Sequence, residues 1–272
     1  MEKAKHLFDN LWKSYIDLNP EVKRVYDLFL SEGEVVVNDH IAFRTFEDPR
    51  VNIDVFAKPF EEAGYEYRGE YQFEQKKLYA RHYEFKAFRE APRIFISQLK
   101  VNEFSSFLQN TVKGLVDKIP EKLFSSPDFN NSGAVWGDLS YDVYKQLRAE
   151  SEYAAWVYVF GFRANHFTVS INNLKKYNTI EKVNQFLKDN GFLMNDSAGE
   201  IKGTPDELLQ QSSIKSGIVE VDFKEGTYPV PSCYYEFALR YPDRDGNLYL
   251  GFIAKSADKI FESTDYYEKD KR

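Results

Sequence analysis

The chain has 272 residues, 43% of them hydrophobic and 17% aromatic, and a formal net charge of −7. That is enough apolar side chain for a sizeable core, and the acidic balance argues against nucleic acid, which needs a basic surface. No apolar run reaches transmembrane length, charges scattered through Met1 to Leu30 do not read as a signal peptide, and the single cysteine, Cys233, excludes an internal disulfide or a cysteine-built metal site, so a soluble cytoplasmic protein is expected.

Residues 2–31 read as a packing helix pair. Leu7, Leu11, Tyr15 and Leu18 make one apolar stripe, Pro20 interrupts it, and Val22, Val25, Tyr26 and Phe29 begin a second. Asn38 to Phe46 reads as a β-strand, with Gly33 and Pro49 as punctuation. Alternation puts His40, Ala42 and Arg44 on one face, and Ile41, Phe43 and Thr45 on the other. The second face packs. The first carries an imidazole and a guanidinium whose Cα atoms lie ~13 Å apart, with room for a small anion between a metal on His40 and Arg44. A helical pattern from Ile53 to Ala63 follows, closed by Gly64, and then strands over 65–71, 77–87 and 93–101. From 103 to 155 the character changes: helices over 104–119 and 141–150 flank a Ser/Asn/Gly-rich loop at 125–137.

The first pattern then returns. Ala164 to Asn172 is a second strand with a histidine, His166, and a helix over 180–190 ends at Gly191. Twenty-four residues separate His40 from Gly64, and twenty-five separate His166 from Gly191. Asn-Asp-His-Ile-Ala-Phe answers Ala-Asn-His-Phe-Thr-Val. Strands are expected over 214–223, 233–241 and 247–254, then a short helix over 257–262. The chain therefore reads as a single α+β domain, 1–272. It holds two β-α-β-β-β modules, about 33–101 and about 156–262, around a shared cavity, with a helical insertion at about 102–155 between them. Two units are too few for a solenoid.

Duplication makes His40 and His166 a pair, because each sits in the first strand of its module. Glu236 interrupts the aromatic run from Cys233 to Tyr241, where a carboxylate is costly unless paired or bound to metal. Two histidines and a carboxylate form a facial triad that leaves three positions open on Fe(II), two for a 2-oxo acid and one for dioxygen. The plainer readings are a packed histidine at either position, Glu236 paired with Arg240 or a lysine, and Arg44 as a structural ion-pair partner. His82 has no counterpart in the second module and reads as structural, His6 as solvated. Cys233 lacks an accompanying Cys–His pattern and reads as a small packing residue. No Gly-rich phosphate loop or nucleophile elbow is present.

The stretches His40-Ile41-Ala42-Phe43-Arg44, Asn165-His166-Phe167 and Tyr235-Glu236-Phe237-Ala238, with the ending from Gly251 to Glu262, resemble the 2-oxoadipate dioxygenase/decarboxylase family of the vicinal oxygen chelate superfamily. The resemblance spans nearly the whole chain. It implies a non-haem Fe(II) enzyme that converts 2-oxoadipate and dioxygen to 2-hydroxyglutarate and carbon dioxide in lysine breakdown. It also implies His40, His166 and Glu236 as metal ligands and Arg44 as the catalytic-site residue that binds a substrate carboxylate. The chain resembles a short member, without the insertions that shape the cavity of longer bacterial enzymes; Phe252 and Ile253 are candidates for their C-terminal substrate contacts. Two rival classes stay open. One is a glyoxalase-like isomerase, lyase or hydrolase using Zn, Mn or Ni, which would take up no oxygen. The other is a non-catalytic protein that binds a small acid.

Overall fold

The computed structural model describes residues 2–88, 90–197 and 199–253. Helix α1 (Glu2–Leu18) and helix α2 (Pro20–Ser31) are separated at Asn19, with Pro20 at the first helical position, where its missing N–H costs nothing. The first module is β1 (Asn38–Phe46), α3 (Ile53–Ala63), β2 (Tyr65–Phe73), β3 (Leu78–Phe85) and β4 (Arg93–Leu99). Helices α4 (Ser106–Val116), α5 (Tyr141–Glu150) and α6 (Glu152–Phe160) follow. The second half is β5 (Ala164–Ser170), α7 (Ile180–Asp189), β6 (Lys202–Thr204), β7 (Leu209–Ser213), β8 (Ile218–Phe223), β9 (Gly226–Pro231) and β10 (Tyr234–Arg240). The two repeat helices start on side-chain caps, Asn52 and Thr179, and end against glycines in the left-handed region, Gly64 at φ +109° and Gly191 at φ +82°.

Eight strands form one curled sheet in the order β2-β3-β4-β1-β5-β10-β7-β6. It reads the same outward from its centre. β1 and β5 pair antiparallel in the middle, and each is flanked by a parallel partner, β4 or β10. The antiparallel ladders β4-β3-β2 and β10-β7-β6 complete the two halves. The duplication in the sequence is thus a pseudo-twofold in the sheet. Helices cover one face: Trp12 packs on Phe167 and Tyr235, Phe60 on Phe43, and Phe29 on Phe237. Each ring buried there, such as Phe43 or Phe237, contributes ~1.5–3 kcal/mol through burial. The other face holds the histidines. Among the described residues no helix is long and apolar enough to cross a membrane.

The elements differ from expectation in four places. Helix α6 crosses the boundary expected near 155, and eight of its nine residues are buried. A helix that is apolar all round has no stripe to read. Strand β7, Leu-Gln-Gln-Ser-Ser, is too polar to show strand alternation, yet it fills the slot beside β10. The apolar run expected as a sheet strand over 214–223 instead supplies β8, which pairs only with β9 in a separate hairpin. Residues 247–253 make no strand, because β10 is already paired on both sides and leaves no edge for them. The helix expected over 257–262 lies outside the described residues.

Candidate metal centre

Register across three strands brings the site together. His40 on β1 lies opposite Thr168 on β5, and Thr168 lies opposite Glu236 on β10. Directly paired residues point to the same side of a sheet, so all three share a face. His166 is two residues from Thr168 on the same strand and shares that face too. His40 Nε2 is 3.3 Å from one Glu236 carboxylate oxygen, and His166 Nε2 is 3.4 Å from the other. One ligand atom from each of the three lies within 4.8 Å of the others. All three side chains are buried.

The outer nitrogens fix the tautomers. His40 Nδ1 donates to Asp39 Oδ1 at 2.8 Å, and His166 Nδ1 lies 3.0 Å from Asn165 Oδ1. With the proton on Nδ1 in each ring, both Nε2 lone pairs face the carboxylate. Gln211 Nε2 donates to Glu236 Oε1 at 2.6 Å and steadies it. Asp39 is held in turn by Arg240, which donates from Nε and Nη2 to its two oxygens at 2.7 and 2.8 Å, and by Arg93 Nη1 at 3.3 Å.

The two imidazoles differ electrostatically because Asp39 is charged and Asn165 is not. Burial pushes His166 down to about 3, outweighing the attraction of Glu236, so it stays neutral. Burial also disfavours charge on His40, but hydrogen bonds to Asp39 and Glu236 outweigh it and raise that ring above its ordinary value. Glu236 would be raised by burial, yet the two imidazoles and Gln211 hold it below the usual carboxylate range. Asp39 is held well below that range against its own desolvation by the charges of Arg240 and Arg93. Two imidazole Nε2 atoms and a carboxylate therefore converge in a buried space. That donor set suits a divalent first-row ion, and its imidazole and carboxylate composition fits Fe(II).

A chamber of about 20 Å³ adjoins the three residues, and Ala42, Arg44, Phe95, Ser97, Tyr234 and Phe252 are among its walls. Arg44 reaches it from the same face of β1, as strand alternation requires. Its guanidinium carbon lies 5.0 Å from the Tyr153 ring centre and 5.1 Å from that of Trp156, both on α6. Arg44 also borders a larger open cavity of about 470 Å³ that includes Lys76, Lys77 and Glu152. Arg44 thus stands between the outer cavity and the three-residue cluster.

The remaining histidines lie apart from the cluster. His82 is buried beside Tyr71, whose hydroxyl is 2.9 Å from its Nδ1, and Glu84. By strand pairing its counterpart in the second half is Ser213, since His82 faces Phe95 as Ser213 faces Glu236. His6 is exposed on α1. Cys233 is buried, and burial pushes its thiol up to about 12, so it is no nucleophile at neutral pH. The sequence reading missed Asp39, Asn165 and Gln211. The first two had a signal, an Asx residue immediately before each histidine in the repeated motif. Arg240, read as a possible partner of Glu236, pairs instead with Asp39.

The sequence profile of the 2-oxoadipate dioxygenase/decarboxylase family matches residues 9–126 and 133–244. A protein from Shewanella frigidimarina NCIMB 400, described as a hydrolase, is 48% identical and superposes with a TM-score of 0.87 over 92% of this chain and 97% of its own. The hydroxyglutarate synthase of Oryza sativa, solved in complex with 2-oxoadipate, is 34% identical, with a TM-score of 0.89 over 96% of this chain and 91% of its own. A glyoxalase superfamily protein from Ralstonia eutropha JMP134, 20% identical with a TM-score of 0.75 over 92% of this chain and 86% of its own, shares the fold. The α+β architecture is thus of the glyoxalase, or vicinal oxygen chelate, kind, and the chain belongs to the 2-oxoadipate dioxygenase/decarboxylase family.

Proposed function

We propose that the protein is an Fe(II)-dependent dioxygenase and decarboxylase of a 2-oxo dicarboxylic acid, 2-oxoadipate in the first instance. The overall change is 2-oxoadipate plus O2 giving 2-hydroxyglutarate plus CO2, a step suited to lysine breakdown. The observation that carries this reading is the convergence of His40, His166 and Glu236, ligand atoms within 4.8 Å, beside Arg44 in one chamber. Those three residues would hold the metal. When bound, Fe(II) supplies a redox-active Lewis acid with adjacent positions open to a 2-oxo acid and to dioxygen.

The chain's own residues supply orientation. Asp39 and Asn165 keep both imidazoles turned with Nε2 inward, and Gln211 holds the carboxylate. Arg44, backed by two aromatic rings and lining the chamber, would hold the distal carboxylate, which would otherwise be an unpaired charge among Phe95, Tyr234 and Phe252. That contact fixes the length of the acid as well as its direction.

The test is an oxygen electrode with anaerobically purified, Fe(II)-loaded protein on a series of 2-oxo acids, with product identified by mass spectrometry. Oxygen consumed in step with 2-oxoadipate, yielding 2-hydroxyglutarate, supports the reading. Turnover of any of these acids without oxygen uptake would refute it and favour a Lewis-acid reaction, the chemistry suggested by the hydrolase description of the Shewanella relative.

A further inference from the structure

The chamber has room for about one water molecule, so no six-carbon acid enters without a wall moving. Among the described residues, every wall but one is on a strand of the sheet: β1, β4, β5, β7 or β10. The exception is Phe252. It belongs to a strap, residues 241–252, that has no helix or strand and is mostly exposed before Phe252. Phe252 packs edge-on against His40 at 4.8 Å between ring centres, and also against Phe95 at 4.8 Å. Its backbone N–H donates to the Tyr71 hydroxyl at 3.1 Å. The strap is anchored at its start, where Tyr241 donates from its N–H to the Leu208 carbonyl and from its hydroxyl to Gln210 Oε1, and at Phe252; the exposed stretch between, 242–248, is of the kind drawn from the low-stability end of a fold.

A second hydrogen-bonded tie at the Phe252 end of the strap is Arg240, itself 2% exposed. Its Nε and Nη2 grip the Asp39 carboxylate, which receives His40 Nδ1. Its Nη1 donates to the carbonyl oxygens of Tyr249 and Gly251 at 3.0 and 2.8 Å. One rigid guanidinium therefore joins the partner of a metal-ligand candidate to the strap. We propose that Arg240 is a positioning residue that latches the strap to His40 through Asp39, so that seating a metal on His40 and closing the chamber are coupled.

This rests on the reading of His40 as a metal ligand. A planar fork can bind a carboxylate on one edge and two carbonyls on another; a lysine ammonium has no such geometry. A metal held by His40 would fix the ring and strengthen Nδ1–H as a donor to Asp39, and Asp39 in turn would hold Arg240 and the strap more firmly. Linkage makes the effect reciprocal: a strap tied down through Arg240 strengthens metal binding.

The experiment is hydrogen exchange of the 249–252 amides in the full chain, with and without Co(II) under anaerobic conditions. Co(II) affinity is read separately from its visible absorption. In the unaltered protein Co(II) should slow strap exchange about fivefold or more. In Arg240→Lys that protection should vanish and Co(II) affinity fall about 10–100-fold, with exchange in α3 and α7 unchanged. Tyr71→Phe, which removes the hydrogen bond accepted from the Phe252 N–H, should speed strap exchange yet keep the Co(II) protection. If Arg240→Lys does not fold, Asp39→Asn is read the same way. Protection that is absent in the unaltered protein, or that survives in Arg240→Lys, overturns the latch. The site itself is checked apart: Co(II) binding that persists in His40→Ala overturns the ligand reading, whatever the strap does.

Discussion

Replacing Arg44 gives the sharpest test of how substrate is read. Arg44 is 2% exposed, faces the chamber with His40, and lies within 5.0 and 5.1 Å of the Tyr153 and Trp156 ring centres. Arg44→Lys keeps the charge but loses both the planar fork and the flat stacking surface. Arg44→Ala loses the charge as well. Neither change touches His40, His166 or Glu236, so divalent metal content should hold. Losing one side of a desolvated charge pair costs ~2–5 kcal/mol, which is a fall of about 30-fold to several thousand-fold in kcat/KM for a 2-oxo dicarboxylate. Alanine should sit nearer the upper end and lysine nearer the lower. A neutral-tailed 2-oxo acid of the same length makes no such contact and should lose less than about threefold. Steady-state kinetics on both acids with both variants decides the matter. Equal losses for the charged and neutral tails would refute the reasoning and make Arg44 a support for α6 and β1 that does not touch substrate.

Three further outcomes are expected. His166→Ala should abolish stoichiometric divalent metal by elemental analysis while His82→Ala retains it, since only the former residue is in the converging cluster; the reverse pattern would mean the wrong ligands were chosen. Metal binding slightly below neutral pH should release about one proton, seen by calorimetry in buffers of different ionisation enthalpy. The sign follows from the rings: His40, raised from 6.5, holds a proton that metal must displace, and His166, lowered to about 3, holds none; release should fade as pH rises through the raised His40 value, and a count of two would contradict the asymmetry. Gly161→Ala should destabilise the fold by roughly 3 kcal/mol or more in a denaturant titration, because φ is +68° there and a Cβ would lie 2.0 Å from the Gly133 backbone; a loss under about 1 kcal/mol would show that the end of α6 is not fixed as described.

The sequence by itself determined the repeat, and with it the three residues of the candidate cluster. Strand alternation depends only on neighbours, so the common face of His40, Ala42 and Arg44 was legible from nine residues. Helix ends are equally local, which is why Gly64 and Gly191 marked both modules and made the two histidines equivalent. Glu236 stood out because an unpaired carboxylate in an aromatic run has to be explained. Tertiary structure decided what depends on partners far along the chain. Asp39 and Arg240 meet across 201 residues, and only the β1–β5–β10 register puts one guanidinium against that carboxylate in preference to Glu236. Strand β7 exists because β10 offers an open edge, which a polar pentapeptide can fill with backbone hydrogen bonds that need no apolar pattern. Helix α6 is apolar all round because it is buried on every side, so its period vanished from the sequence just where its Tyr153 and Trp156 back Arg44.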